Sequence, residues 1–544
     1  MRLSRLLLPT LALLVSGATA NNGVKNVAII GAGAAGSSTA YHLQKYAANS
    51  DLAINVTLFE KTNHIGGRTL TVQPYGDARQ PAIELGASIF VEINHILYNA
   101  SRDFGLDLGD MAVLAPGDVT VIWDGDSVVF STATGTAKWW DAVRLWWHYG
   151  LAPVRTVRLV RAVIESFLEI YKAPAFPFKS LTETVQQLGL DGITGVTAQQ
   201  FLADKKINDG FANDIVQCAT RVNYASNLAY IHGLESMVSM STDGAVSVRG
   251  GNWKIFDEMV RRSNATVHRN TAVASLSSTD GKLLLTTSKQ ADANSSPPMS
   301  LDQYPTAFDA VVIASPWQFS NITAAEGLLS EPIESVPYTK LHVTLFATHL
   351  KICAAFVNLD STYKVPSNVY TTLGKSEKAR PGADGVGRAG FYSISTLRTV
   401  TNPKTHLAEH IYKVFSAKPI TPGFLSDVFC QEISSTQAHQ GPISWYYAHY
   451  FYSYPQGLPR VTFQDPIVGQ GIYYTSGIES FISTMETSAL MGMNVARLIA
   501  DDFAAQPCVL EKHAKWTSSF YWLNDVWQLA WPGKLYDGGF GKRG

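Results

Sequence analysis

A short apolar run that breaks at a glycine turn and passes directly into a helical pattern constrains this chain more than any other stretch. It reads Val27-Ala28-Ile29-Ile30-Gly31-Ala32-Gly33-Ala34-Ala35-Gly36 and continues to Leu43. Gly31 permits a tight turn, Gly33 lets a bulky ligand approach the backbone, and Gly36 lets the helix pack closely on the strand, with the small Ala34 and Ala35 between them. The free amides at the helix start then face a pyrophosphate. Taken alone, the pattern does not separate a dinucleotide site from an ordinary strand-to-helix turn.

The next two segments of the chain do separate them. The alternation Ile54-Asn55-Val56-Thr57-Leu58-Phe59 ends at Glu60, an acid placed to accept hydrogen bonds from both ribose hydroxyls of an adenosine and to repel a 2′-phosphate. Gly66-Gly67-Arg68 comes next: two glycines bring a second loop close to the same pyrophosphate, and Arg68 offers planar donors to phosphate oxygens. The stretch from Lys61 to Thr69, KTNHIGGRT, resembles the extended fingerprint of the amine oxidase-like FAD enzymes. That resemblance implies FAD rather than NAD. It also implies main-chain contacts from Val273 to the adenine, a small-residue turn near the flavin at Gly86-Ala87-Ser88, and a last cofactor segment running from Ile472 into a helix. In that segment Gly477 frees the backbone, Glu479 reaches the ribityl or phosphate region, and amides around Glu486 and Thr487 stabilise negative charge on the reduced flavin. Glu84 reads as a structural strand acid.

Two further stretches narrow the resemblance. Thr220-Arg221-Val222-Asn223-Tyr224 and Gly250-Gly251-Asn252-Trp253 look like the prenylcysteine oxidase, or prenylcysteine lyase, family. The implied reaction removes hydride from the prenyl carbon next to sulfur, adds water, and releases cysteine, an isoprenoid aldehyde and, with dioxygen as electron acceptor, hydrogen peroxide. The implied substrate is a small molecule with an apolar prenyl chain. Arg221 and His342 are the candidate catalytic residues; Arg221 also reads as a helix-end cation, and His342, like His449, as a structural strand histidine. One alternative is a flavin amine oxidase, for which Lys340 would reach the flavin through water. Another is a secreted FAD-containing binding protein without oxidase activity.

The expected fold class is α/β, a Rossmann-like FAD-binding domain with a discontinuous mixed α+β substrate domain. Residues 24–110, 240–330 and 460–505 are assigned to the first, and 111–239 and 331–459 to the second. Residues 506–544 form a tail rich in tryptophan, matched to no motif. Asp280 to Ser300 reads as a solvated polar excursion. From Val154 to Tyr171, Arg155, Arg158, Arg161, Glu165 and Glu169 recur every three or four residues, giving a narrow polar stripe and a wide apolar face. That face reads as core packing against another helix, as a substrate wall, or as a peripheral membrane contact.

Residues 1–20 carry Arg2, Arg5, an apolar run from Leu6 to Val15 and small residues ending at Ala20, the pattern of a secretory leader cleaved after Ala20. Sequons at Asn55, Asn99, Asn264, Asn294 and Asn321 fit secretory passage, with lysosome, vacuole and secretion as destinations. Cys218, Cys353, Cys430 and Cys508 show no metal-ligand spacing, so no metal is expected; they allow up to two disulfides or buried free thiols. With 43 basic residues against 44 acidic ones and no long basic run, nucleic acid is not an expected partner.

Overall fold

The computed structural model describes residues 23–505 apart from 111–116, 135–137, 290–299, 361 and 437–440. The leader, the sequon at Asn294, Cys508 and the tail 506–544 lie outside the described residues. In chain order, β1 (Lys25–Ile30) leads through the glycine turn to α1 (Ala34–Asn49) and β2 (Ile54–Phe59). A short hairpin of Thr71–Val72 and Ile83–Glu84 precedes α2 (His95–Asp103), followed by the strands β3 (Val119–Trp123) and β4 (Val128–Ala133). Helices then dominate: α3 (Lys138–Tyr149), α4 (Ala152–Leu168), α5 (Gln217–Tyr224), α6 (Gly233–Ser239) and α7 (Trp253–Arg262) are those that bear on the site.

The chain returns to strands with β5 (Thr266–His268), β6 (Thr271–Thr279), β7 (Lys282–Lys289) and β8 (Ala310–Ile313). β7 corrects part of the polar excursion expected after Asp280. Leu283 and Leu285 alternate into the core, and Asp280 and Gly281, both at positive φ, make the tight reversal that pairs β7 with β6. Next come β9 (Tyr338–Thr348), β10 (Pro366–Thr371), β11 (Ser393–Thr401), β12 (Ala408–Ser416), α8 (Pro422–Phe429) and β13 (Ile443–Pro455). The last elements are β14 (Ile467–Gly469), β15 (Ile472–Tyr474) and α9 (Met485–Ala505).

Two large sheets organise these elements. A six-stranded sheet in the order β14-β15-β8-β1-β2-β5 is parallel except at the β14/β15 pair. Its central strands are apolar without alternation because both faces are covered. α1 and α9 cover one face and approach so closely that a Cβ added at Gly492 would stand 2.2 Å from the carbonyl oxygen of Ala35. The second sheet has seven strands in the order β13-β9-β12-β11-β10-β3-β4, antiparallel except for β10 beside β3. It joins strands from 119–133 to strands from 338–455. Phe167, Phe201, Phe211 and Ile231 from the helical stretch share one continuous apolar core with Val27 and Ile29 of β1.

Asn55, Asn99, Asn264 and Asn321 are exposed. Among the described residues no helix is long and apolar enough to cross a membrane.

Cys353 and Cys430 form a disulfide with Cα atoms 5.8 Å apart, and Cys218 is a buried free thiol. The bridge fixes the end of α8 to the chain leaving β9 and closes a loop with a sequence separation of 77 residues. Closing a loop of that size restricts the unfolded chain by about 4 kcal/mol. Cys353→Ser with Cys430→Ser, or reduction of the wild type, should lower unfolding free energy in urea by roughly 2–5 kcal/mol. Overlapping unfolding curves would show that the bridge does not stabilise this sheet.

Candidate functional site

The site begins at the first glycine turn. Gly31 has φ +105°, and a Cβ at Gly36 would lie 1.9 Å from the Gly31 carbonyl oxygen, so the strand and α1 meet only without a side chain there. Gly33 caps α1 with no side-chain hydrogen bond, and the helix's first turn contains no acid. Ala34 is half-buried and Ala35 buried beside these uncapped amides. The Glu60 carboxylate, buried at the end of β2, accepts the Ala32 N–H and the Thr62 N–H, each at 2.9 Å. The second loop stands opposite: the Gly66 N–H donates to the Ala32 carbonyl at 2.8 Å, and a Cβ on Gly67 would come within 3.1 Å of the Gly33 Cα. Gly66 and Gly67 have φ values of +124° and +59°. Two side-chain-free loops, an uncapped helix start and an adjacent buried carboxylate fit a dinucleotide diphosphate and its ribose.

Arg68 leaves this loop and reaches across the molecule. Its guanidinium donates to Glu479 at 2.6 Å and to the Ser453 carbonyl, while the Tyr338 hydroxyl donates to the same Glu479 carboxylate at 3.2 Å. Arg68 is therefore oriented by Glu479, and that carboxylate is engaged by protein groups. Gly477 cannot carry a side chain, since its Cβ would meet the Gln464 carbonyl at 2.5 Å. Val273 is buried in β6, and the ladder breaks by a bulge just after it. Glu486 turns away from α9 to cap another helix: it accepts the Ile96 and Leu97 N–H groups of α2 at 2.9 and 3.0 Å and the Tyr171 hydroxyl at 2.8 Å. The Thr487 N–H donates to Thr484 Oγ1 at 3.1 Å, and its hydroxyl donates to the Ile482 carbonyl at 2.7 Å.

The seven-stranded sheet presents one face to the turn at 83–88. Leu341, Val343 and Leu345 of β9 pack there with Ile83 and Leu85. In the β9/β13 register, Val343 opposes His449 and Leu341 opposes Phe451, so both side chains share that face, together with Tyr447 and Trp445. The row is half-buried and in mutual contact: Trp445 and Tyr447 stack at 6.5 Å, Tyr447 and His449 at 6.4 Å, and His449 meets Phe451 edge-on at 4.4 Å. A Cβ on Gly86 would touch the Phe451 ring at 3.7 Å. His342 opposes Tyr450 and lies on the other face, which removes it from the row facing this turn. Lys340 shares the His342 face, its ammonium 4.2 Å from the Tyr450 ring centre. Burial lowers the pKa of both histidines, with Lys340 adding to the effect at His342.

Arg221 requires the clearest correction. It is fully buried, and its guanidinium donates to Thr371, Asn227 and the carbonyls of Gly385, Val386 and Phe391 at 2.8–3.3 Å. All three of its nitrogens are engaged by protein oxygens. Burial pulls its pKa down to about 10, so it remains charged at neutral pH and holds α5 to β10 and the 385–391 loop.

Several residues that build the site are assigned no role there by the sequence. Tyr338 and Ser453 converge on the Arg68–Glu479 pair from the two strands of the second sheet. Asn252 of the GGNW stretch is fully buried: its N–H donates to Glu84 at 2.5 Å, and its amide donates to the Ala87 carbonyl at 2.8 Å. Lys413 of β12 donates to the Ser88 hydroxyl and the Glu84 carbonyl. Behind the segment 476–484, Glu235 of α6 accepts the Ser483 N–H at 3.2 Å, and His232 stands 3.9 Å from Glu235. Burial pushes the Glu235 carboxyl up to about 8 and the Glu486 carboxyl up to about 7. Burial, with the charge of Arg460, pulls His232 down to about 3.

Comparison with known proteins adds to this geometry. A family model described as prenylcysteine lyase matches residues 133–512, and one described as an NAD(P)-binding Rossmann-like domain matches residues 29–103. The chain is 27% identical over 505 residues to a farnesylcysteine lyase of Arabidopsis thaliana, covering 90% of each protein. It is 26% identical over 489 residues to prenylcysteine oxidase 1 of Bos taurus, covering 87% of this chain and 88% of that one. Among solved structures, a putrescine oxidase redesigned in its cofactor binding superposes with a TM-score of 0.52 at 12% identity, covering 88% of this chain and 99% of the other. At that identity the likeness concerns the fold.

Glu235 gives a pH signature. A carboxyl raised on folding stabilises the folded state fully below the ordinary carboxyl range, and that stabilisation is lost as pH rises through about 8. His232, lowered on folding, acts oppositely and only below its ordinary value of 6.5. Thermal unfolding of wild type and Glu235→Gln between about pH 6.5 and 9 should show the gap growing in favour of the glutamine variant as pH rises. A constant gap would mean that Glu235 does not titrate in the folded protein within that window.

Proposed function

The chain belongs to the prenylcysteine lyase family, and on that footing we propose that it is an FAD-dependent thioether oxidase that cleaves S-prenyl-cysteine. One thioether, one dioxygen and one water give one isoprenoid aldehyde, one cysteine and one hydrogen peroxide. The observation that carries the substrate side is the aromatic row Trp445, Tyr447, His449 and Phe451, which begins beside Gly86 and continues along one face of β13. Alternate residues over six positions span about 20 Å of strand, a length suited to an extended isoprenoid chain. Such rings offer large apolar area with few rotatable bonds.

FAD, when bound, supplies a two-electron acceptor that dioxygen returns to its oxidised state. Gly31, Gly33, Ala34, Ala35, Gly36, Gly66 and Gly67 would admit its diphosphate, Glu60 its ribose, and the main chain at Val273 its adenine. Arg68, set by Glu479, and the backbone at Gly477 and the start of α9 would hold the rest. Burial disfavours the charged form of His449, and in its neutral form the ring can accept a proton from the water that enters the thioether carbon. Lys340, the residue an amine oxidase reading would use, sits on the opposite sheet face from this row.

The Cys353–Cys430 disulfide and the exposed sequon asparagines support passage through an oxidising secretory compartment, ending in a lysosome or vacuole or outside the cell. Amino-terminal sequencing of the mature protein should begin at Asn21, with a mass shift on glycosidase treatment; a retained leader would refute this route.

The FAD-loaded protein should release peroxide with farnesylcysteine and not with a primary amine. Peroxide with the amine alone would favour the amine oxidase reading, and silence at full FAD occupancy would favour a binding protein. Tyr447→Ala should raise KM for farnesylcysteine by about tenfold, equivalent to roughly 1.4 kcal/mol of lost apolar contact, with little change in kcat. A fall in kcat at unchanged KM would remove the row from substrate binding.

A further inference from the structure

α4 is amphipathic by its sequence, and one side of it is buried along its whole length: Ala152, Thr156, Val163, Ile164 and Phe167, with Leu159 and Val160 packed against the same core. Phe167 meets Phe481 at 6.1 Å, and Tyr171, just beyond the helix, donates to Glu486. Beside this buried face, a second set of apolar residues at the N-terminal end faces outward. Leu151 is 56% exposed, Val154 47% and Val157 60%, and α3 adds Trp146 at 56% and Trp147 at 82% across the Gly150 turn. An indole exposed to that degree lines no internal wall, and five large apolar side chains exposed within twelve residues are not singly scattered surface apolarity.

Positive charge predominates on this elbow, with Asp141 and Glu165 as its flanking acids. From Val143 to Ile164 the chain contains Arg144, Arg155, Arg158 and Arg161, with no aspartate or glutamate. Arg155 donates to the Lys206 carbonyl at 3.1 Å, which brings the exposed Lys205 and Lys206 beside the ridge, with Asp204 and Asp209 as the acids of that loop. Indoles and aliphatic side chains flanked by arginines form the composition that settles at a lipid–water boundary, apolar groups among acyl chains and guanidinium groups at headgroup phosphates.

We infer that the α3–α4 elbow docks this protein on an anionic lipid surface, with Trp146, Trp147, Leu151, Val154 and Val157 entering the interface and Arg144, Arg155, Arg158 and Arg161 meeting the headgroups. α4 connects this surface to the site: its 17 residues span about 25 Å, from the exposed elbow to the contacts with Phe481 and Glu486. The value of such docking rests on the proposed prenyl substrate, which itself partitions into bilayers.

The FAD-loaded full chain is mixed with vesicles of phosphatidylcholine alone or with one-third phosphatidylserine, and partitioning is measured by co-sedimentation and tryptophan emission. Wild type should bind the anionic vesicles with a blue-shifted emission, weakened by high salt. Trp146→Ser with Trp147→Ser should lose roughly tenfold or more of that binding, while turnover of farnesylcysteine in vesicle-free solution is unchanged. Arg158→Gln with Arg161→Gln should weaken binding to the anionic vesicles only. Absent binding, binding indifferent to both double variants, or a dimer in gel filtration that the tryptophan variant abolishes would overturn the inference, the last by assigning the ridge to a second copy. Vesicle binding without turnover would sink the enzymatic reading and leave the docking surface standing. Turnover without vesicle binding would do the reverse.

Discussion

The ion pair between Arg68 and Glu479 joins parts of the chain that no local rule brings together. Arg68 follows the second glycine loop, Glu479 precedes the last helix, and Tyr338 and Ser453 close on the pair from the second sheet. Glu479 is buried, and the guanidinium and the phenol satisfy its carboxylate. Removing Arg68 would strand a buried carboxylate, a change that typically costs about 3–5 kcal/mol. The two sheets are thereby held at the place where both must serve one cofactor. Orientation of Arg68 comes from the same contact, because a guanidinium that gives two nitrogens to fixed acceptors has little rotational freedom left.

The cofactor half was legible because its chemistry is backbone chemistry. Gly31, Gly36, Gly66 and Gly477 each stand where a Cβ would strike a neighbouring atom, and such positions announce themselves in sequence as glycine at fixed spacing. Glu60 was legible for a related reason: it ends a strand whose register is set by its apolar pattern. The charged side chains nearby were harder to read. Arg68 was expected to address phosphate directly, and Glu479 the ribityl region, whereas the structure pairs them. Glu486 carries the position expected of a residue at the head of α9, yet its carboxylate is engaged by the start of α2, 390 positions away at Ile96. Partners at that separation leave no trace in local periodicity.

The stretches TRVNY and GGNW suggest a substrate yet act as scaffold. Arg221 gives its whole guanidinium to neutral oxygens on three segments, and Asn252 fastens the turn at 84–88 by two hydrogen bonds while accepting a third from the Val248 N–H. Both are fully buried. A charged or amide side chain in such a place fixes distances, since moving any one partner orphans a buried polar group. Arg221 thus fixes one end of the second sheet to α5, and Asn252 fixes the 84–88 turn to the segment before α7. Lys413, which donates to the Glu84 carbonyl and to Ser88, is the side chain that ties the sheet to the turn.

Strand parity decides which side chains line the space between the two sheets. His342 and His449 were equivalent as strand histidines in sequence, and their pairing partners separate them, because His449 opposes Val343 whereas His342 opposes Tyr450. A helix has no comparable rule of parity, and α4 illustrates the consequence: its periodicity fixes which side is apolar and leaves open whether a neighbour arrives to cover it. Its neighbours cover Ala152, Thr156, Val163 and Phe167 along one side and leave Val154 and Val157 bare on another. The helix therefore carries two apolar rows, one packed against the cofactor-bearing core over its whole length and a shorter one at its N-terminal end that no neighbour among the described residues buries. Periodicity alone does not tell the two apart, because both recur at helical spacing.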